Sequence, residues 1–288
     1  MPVKFRKLNT AIALTLLTAA GASLCQATTL FQNGAESVAS IQDAMTQGLF
    51  SFLSQDGGGL VEVSTHYAHS GSKSFRFCYS QNEAQAAAEI RLPSGQKHVF
   101  FQWWELRERA GDFTGAHDYD WAGEKFNRLR SSIIQTTGVD YPLGWSASTN
   151  GQGSFGTSAL DGPGNIGMFG NSTASNGADL FSFYYPMPRG EWHRFEVEIN
   201  LGSVGTANGA ARIWVDGVMK AEKTNVDLLP KNDANIDLIW LGGWYSGSSA
   251  PLAQSCRYVD DVIIANTGPI GGAAPSAVPE PPQDVTVQ

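Results

Sequence analysis

Polar and apolar positions along this chain alternate far more often than they recur at helical spacing. Short runs rich in Val, Ile, Phe, Tyr and Trp are bounded by Gly, Asn, Asp, Ser and Pro, the pattern of half-buried strands between turns. It predicts strands at 59–64, 74–80, 87–92, 98–109, 127–136, 142–147, 179–185, 192–201, 210–215, 218–225, 236–244 and 258–266. In "WVDGVMK" the pair Asp216-Gly217 separates two strand-like runs and marks a tight hairpin turn. Only "ESVASIQDAMTQGLF" (36–50) has helix-like spacing, and the signal is weak. About a dozen strands with almost no helix indicate one all-β domain, an antiparallel β-sandwich or jelly roll.

Both ends and one internal stretch break the strand pattern. Lys4, Arg6 and Lys7 precede the apolar "AIALTLLTAAGASL", which is too short to span a bilayer, and Ala27 offers a small residue for cleavage. Residues 1–27 therefore read as a secretory signal, and the mature chain as secreted or periplasmic, with no membrane insertion. Residues 148–178, rich in Gly, Ser and Asn, read as a mobile flap beside a groove. The Pro/Ala/Gly-rich 269–288 reads as a disordered tail, leaving 28–268 as the domain. Beyond the signal only Cys78 and Cys256 remain, an even pair in an exported chain and hence a candidate disulfide.

Charge changes the picture in one place. The chain carries 19 Lys+Arg against 27 Asp+Glu, and losing the three basic residues of 1–27 would take its net charge from −8 to about −11. Bulk electrostatics thus argue against nucleic acid or an anionic membrane as partner, and an anionic ligand needs a local basic site. Only 16% of residues are charged, yet "HDYDWAGEKFNRLRSS" (117–132) crowds Asp118, Asp120, Glu124, Lys125, Arg128 and Arg130 around His117, Tyr119 and Trp121.

Four separated pieces, "LFQNGAES", "HSGSKSFRF", "GEWHRFEVEINLG…GAARIWVDGVMK" and "RYVDDVIIA", together resemble the concanavalin A-like jelly-roll superfamily. The likeness is to its secreted polysaccharide-lyase branch of alginate, glucuronan and heparin lyase-like proteins, and it covers most of 29–267. "WAGEKFNRLR" following "FFQWWELRER" is similar to that branch's Gly-Gly-Lys-like strand, with Glu124 where a second Gly is expected. The resemblance implies a monomer acting on a polysaccharide, and related jelly rolls imply a structural Ca²⁺ held near Glu36 and Asp260, with Asn33 as a further candidate. It implies no organic cofactor.

Read as a strand of period two, "FFQWWELRER" places Phe101, Trp103, Glu105, Arg107 and Arg109 on one face. The alternate set, Phe100 to Glu108, has the more core-like middle, so the first set is expected to line an open sheet as substrate-binding residues. The charged run adds either Lys125 and Asn127 or Arg128 and Arg130, according to register, and Tyr245 is a further contact. Cations suit carboxylates or sulfates and aromatic faces suit sugar rings. Cleaving a uronate by β-elimination needs a donor that neutralises the carboxylate, a base for the adjacent C–H and an acid for the leaving oxygen. Arg107, Lys125, Arg128 or Arg130 are candidates for the first task, and His117, Tyr119, Tyr184, Tyr185 or Tyr245 for the others. The same surface without such a constellation would be a carbohydrate-binding or adhesion domain. Glu196 and Glu198 lack the third acid expected of jelly-roll glucanases, which disfavours a glycoside hydrolase and leaves them as a solvent-facing stripe. His193 shares parity with Phe195, Val197 and Ile199 and reads as a core-side histidine.

Overall fold

A computed structural model describes residues 28–79, 84–108, 124–130, 144–150, 165–171, 179–184, 190–229, 233, 235–245 and 255–270. Fifteen strands run in chain order: β1 (Thr29–Asn33), β2 (Phe52–Asp56), β3 (Gly59–Ser64), β4 (Ser74–Tyr79), β5 (Gln85–Gln96), β6 (His98–Arg107), β7 (Glu124–Arg130), β8 (Gly144–Asn150), β9 (Asn165–Asn171), β10 (Asp179–Tyr184), β11 (Trp192–Asn200), β12 (Gly209–Val215), β13 (Val218–Val226), β14 (Ile236–Tyr245) and β15 (Ser255–Ala265). They build two sheets, one ordered β13-β12-β11-β6-β15-β4-β3 with β1 also paired to β15, the other ordered β10-β9-β8-β7-β14-β5-β2. Every registered pair is antiparallel, as in a jelly roll.

Three strands were not anticipated. β1 and β2 are short, and β9 lies inside the Gly/Ser/Asn-rich stretch expected to be a flap, where it pairs with β8 and β10. The rest of that expected flap falls partly in β8 and partly outside the described residues. The weak helical signal condenses to α1 (Ile41–Thr46), capped by Ser40, whose Oγ accepts the Asp43 N–H at 3.1 Å. Asp216 and Gly217 both sit at positive φ (52° and 79°), the requirement of a two-residue turn that twists with its strands.

The core lies between the sheets. Phe75 and Phe77 of β4, Phe101 and Trp103 of β6, and Phe195, Val197 and Ile199 of β11 meet Ala86, Ala88 and Ile90 of β5 and Ile239 and Leu241 of β14. Each large side chain so buried stabilises the fold by roughly 1.5–3 kcal/mol. Small residues on the seven-stranded side make room for the rings: a Cβ at Gly242 would meet the Phe77 ring at 2.4 Å, so that position takes no side chain.

On the outer face of the eight-stranded sheet, Cys78 and Cys256 are register partners with Cα atoms 4.1 Å apart and form a disulfide. It packs with Leu106, Tyr258, Tyr67 and Trp192 in a second, smaller apolar cluster. Residues 1–27 and 271–288 lie outside the described residues. Residues 269–270, read as the start of the tail, still belong to the packed domain, since the Ile270 N–H donates to Glu196 Oε1 at 2.7 Å. Among the described residues no helix is long and apolar enough to cross a membrane.

Candidate functional site

The outer face of the seven-stranded sheet brings the described part of the charged run, β7 (Glu124–Arg130), beside aromatic positions of β14. Ile239 and Leu241 of β14 belong to the core, so Leu238 and Trp240 alternate onto the opposite face. Register pairs Arg130 with Leu238 and Arg128 with Trp240; then Leu241 and Gly242 together oppose Asn127, and pairing resumes at Phe126–Gly243 and Lys125–Trp244. This bulge, with positive φ at Asn127 (53°) and Gly242 (77°), changes the parity of β7. Lys125, Arg128 and Arg130 consequently occupy register positions on one sheet face, while Leu129 enters the core. The sequence offered Lys125 and Asn127 or Arg128 and Arg130 as alternatives; the bulge separates Asn127 from Lys125 and joins Lys125 to the arginines.

Asn127 is the hinge of that arrangement. It is fully buried, and its Oδ1 accepts the Gly242 N–H at 2.9 Å, across the bulge it helps define. It is therefore a positioning residue rather than an exposed sugar contact, a correction to its expected substrate-binding role.

A transverse row extends the face to the sheet edge: Arg128 pairs with Trp240, Trp240 with Glu89 of β5, and Glu89 with Phe52 of β2. Glu89, only 5% exposed, accepts from Ser51 Oγ at 2.7 Å and from Trp240 Nε1 at 2.9 Å. Arg91 approaches the same carboxylate at 3.7 Å and is half-exposed. None of Phe52, Glu89, Arg91 or Trp240 was singled out from sequence. Glu89, Arg91 and Trp240 did lie in predicted strands, at 87–92 and 236–244, but β2 was not recognised, so the row ending at Phe52 was invisible.

The face of β6 expected to line the groove points inward instead. Trp103 is buried, stacked between Phe101 and Phe195, and its Nε1 donates to Glu105 Oε2 at 3.0 Å. Glu105 is fully buried against Arg257, and Arg107 is 1% exposed. Trp103, Glu105 and Arg107 are thus interior residues of the sheet opposite to the one bearing Lys125, and not substrate contacts. The physical reason is that a long-range ion pair lets charged residues occupy inward positions, inverting the apparent polarity of the strand. Tyr184 ends β10 opposite Asn165, and Tyr245 ends β14 opposite Glu124. Arg109, His117, Tyr119 and Tyr185 lie outside the described residues.

His193 is 9% exposed with Nδ1 at 2.9 Å from Asp216 Oδ2, beside the hairpin turn, in keeping with its inward parity. Glu196 and Glu198, expected to be solvent-facing, are 4% and 6% exposed. Glu198 is covered by His98 (2.8 Å) and Arg212 (2.8 Å), and Glu196 by the chain at Ile270. Burial would raise the Glu198 pKa, but the hydrogen bonds and charges of His98 and Arg212 outweigh it and hold the carboxyl below the ordinary range.

Glu36 and Asp260 clasp opposite ends of one loop. Asp260 Oδ2 accepts the His69 and Ser70 N–H groups (2.9 and 3.2 Å), while Glu36 Oε1 accepts those of Ser72 and Lys73 (2.6 and 2.5 Å). Burial, together with the neighbouring Asp261 charge, pushes the Asp260 carboxyl up despite those hydrogen bonds. Among the described residues no group of three or more His, Cys, Asp and Glu is arranged to hold a metal.

No protein-family model matches the sequence, and no curated protein matches it either. Solved structures do. The endo-β-1,4-glucuronan lyase from the fungus Trichoderma reesei superposes with a TM-score of 0.55 at 12% identity, over 83% of this chain and 96% of that one. Alginate lyase vAL-1 from Chlorella virus gives 0.54 at 11% identity, over 83% and 99%. The PL-14 alginate lyase from Aplysia kurodai gives 0.53 at 13%, over 83% and 100%. At these identities the likeness concerns the fold alone: the chain shares the antiparallel β-jelly-roll architecture of these structures.

Proposed function

We propose that this protein is an exported polysaccharide lyase that cleaves an anionic, uronate-containing glycan by β-elimination. The observation that carries the reading is the register of β7, which sets Lys125, Arg128 and Arg130 beside Trp240 and Trp244 on one sheet face of an acidic protein. A cationic strip of this kind selects carboxylated sugars against a repulsive background. The neutralising cation withdraws charge from the uronate carboxylate and acidifies the adjacent C–H. A base removes that proton, the electron pair becomes the new C=C bond as the C–O bond to the leaving sugar breaks, and an acid protonates the departing oxygen. Lys125 or Arg128 is the neutralising group in this reading. Tyr184, His117 and Tyr119 are the candidates for proton transfer, a Tyr serving if neighbouring cations lower its pKa; Tyr245, next to Trp244 in β14 and opposite Glu124, alternates to the other face.

The test is to incubate the protein with alginate, glucuronan, pectate, hyaluronan and heparin and follow the near-ultraviolet absorbance of the unsaturated uronate. A rise that Lys125→Ala or Arg128→Ala abolishes supports the lyase and its site. Binding to one polymer with a flat trace replaces the enzyme with a lectin.

A structural Ca²⁺ at the 69–73 loop is proposed alongside. Asp260 fits in donor type, being a buried hard-oxygen ligand with a second carboxylate, Asp261, next to it. Bound Ca²⁺ should raise the melting temperature. An identical melt in calcium and in EGTA sinks the proposal.

A further inference from the structure

We infer that Phe52 and Trp240 form a ring-stacking subsite for one pyranose unit of the anionic polysaccharide, at the β2 edge of the seven-stranded sheet, with Arg91 reaching that unit's carboxylate. The inference rests on the reading of this face as a polysaccharide groove, and assigns it an end that the lyase chemistry does not require.

Three observations converge on it. Phe52 presents its ring to solvent, 49% exposed. Single exposed apolar residues are ordinary, but this one stands beside a fixed aromatic partner. The Phe52 and Trp240 ring centroids are 6.4 Å apart and tilted by 31°, so together they offer a shallow platform of rings rather than a mutual stack.

Trp240 is held from beneath. Its Nε1 is tied to Glu89, and Glu89 is tied in turn to Ser51 Oγ, one residue before Phe52. A carboxylate only 5% exposed and already accepting two side-chain hydrogen bonds is poorly placed to act as a catalytic base. It serves better as an anchor that fixes the indole before a sugar arrives, which lowers the ordering cost of binding.

Arg91 supplies the charge selectivity. It sits two residues from Glu89 on the same face of β5 and pairs with Leu238, the neighbour of Arg130 in the next row. Its side chain is 53% exposed, and the 3.7 Å approach to Glu89 is a loose pair of the kind that contributes little. The guanidinium therefore has room to turn toward a ligand carboxylate and grip it through two donors. A chain of sugars crossing from Arg128 to Phe52 would pass the Trp240 ring, with Arg91 in the adjacent row beside it, before reaching Phe52.

The experiment measures Kd by calorimetry, KM where turnover occurs, and melting temperature, for the wild type, Phe52→Ala, Trp240→Phe and Arg91→Ala, against alginate, glucuronan and pectate. Phe52→Ala is expected to raise Kd and KM by about 3- to 10-fold, the range of one aromatic contact, with an unchanged melting temperature. That loss should persist at high salt, whereas the Arg91→Ala loss should shrink, because salt screens exposed charge and leaves stacking intact. Trp240→Phe retains a ring but loses the Glu89 anchor, so a smaller loss than for Phe52→Ala is expected.

Unchanged Kd and KM in Phe52→Ala overturn the subsite while leaving the lyase reading intact. Weakened binding in Phe52→Ala by a wild type that binds without cleaving upholds the subsite and removes the lyase. A wild type that binds none of these polymers overturns both.

Discussion

The two outer faces of this sandwich treat charge in opposite ways. Outside the eight-stranded sheet, ionisable groups are locked within the protein: Glu198 against His98 and Arg212, Arg76 against Glu62 at 2.7 Å, and Glu196 against the Ile270 N–H. Tyr258 donates to Glu108 at 2.9 Å and packs on Tyr67, and burial followed by that hydrogen bond pushes its hydroxyl pKa upward, away from any role as a base. Outside the seven-stranded sheet, Arg91 is half-exposed with one loose partner, Phe52 is open to solvent, and three cationic positions of β7 share the face. The contrast separates a face that holds the molecule together from one suited to holding something else. Substitutions on or behind the first should therefore register as stability, and on the second as binding and turnover.

The largest expected effect lies in the interior between the faces. Arg257 and Glu105 are both fully buried and pair with each other, with Trp103 Nε1 as a further donor to Glu105. Arg257→Met leaves Glu105 as a buried charge without its counter-ion, which should cost about 3–5 kcal/mol. Urea unfolding measures this directly, and a loss below about 1 kcal/mol would mean that water reaches the pair. Replacing both partners by apolar residues of similar size should recover much of the loss, because the residual penalty is an orphaned charge rather than a missing attraction.

Next in size is the bulge that assembles the second face. Asn127→Gly keeps a residue at ease with a φ of 53° but removes the acceptor of the Gly242 N–H, an expected cost of about 1–3 kcal/mol. Asn127→Val adds the penalty of a β-branched residue in the left-handed region. If the bulge is what unites Lys125 with Arg128, the Val variant should lose polymer binding beyond what its lower stability explains, and the Gly variant should keep most of it. Equal binding by the two, at a temperature where both are folded, would detach the bulge from the site.

These residues also mark what the sequence could and could not disclose. The Asp216-Gly217 turn and the strands around it were legible because hairpin chemistry is local. The disulfide candidates were legible because only two cysteines lie beyond the segment read as a signal. The face assignment of β6 was not, because Glu105 is made compatible with the core by Arg257, 152 positions along the chain, and no local pattern reports such a partner. Glu196 and Glu198 were misread for a related reason: alternation places them outward correctly, but their cover comes from Arg212, His98 and the backbone at Ile270. The parity change in β7 depends on one positive-φ asparagine, which residue type alone does not announce. Strand identity is thus written locally, whereas the composition of a sheet face is set by register between distant segments, and the candidate site is a property of register.

The smallest expected effect tests whether the first face is as closed as its geometry indicates. Glu198→Gln removes the charge shared by His98 and Arg212 and should cost about 1 kcal/mol at neutral pH. The sign of its pH dependence follows from the folded-state carboxyl titrating below its ordinary value of 4.5. A depressed carboxyl contributes stability that is present above the unfolded value and is lost as pH falls through the folded one. The gap in melting temperature between wild type and Glu198→Gln should therefore be constant near neutrality and close progressively below pH 4.5. Sugar binding should be the same in both proteins, since Glu198 faces away from the seven-stranded sheet. A variant that keeps its stability but binds polymer less tightly would place function on the face assigned here to structure, and would undo the division between them.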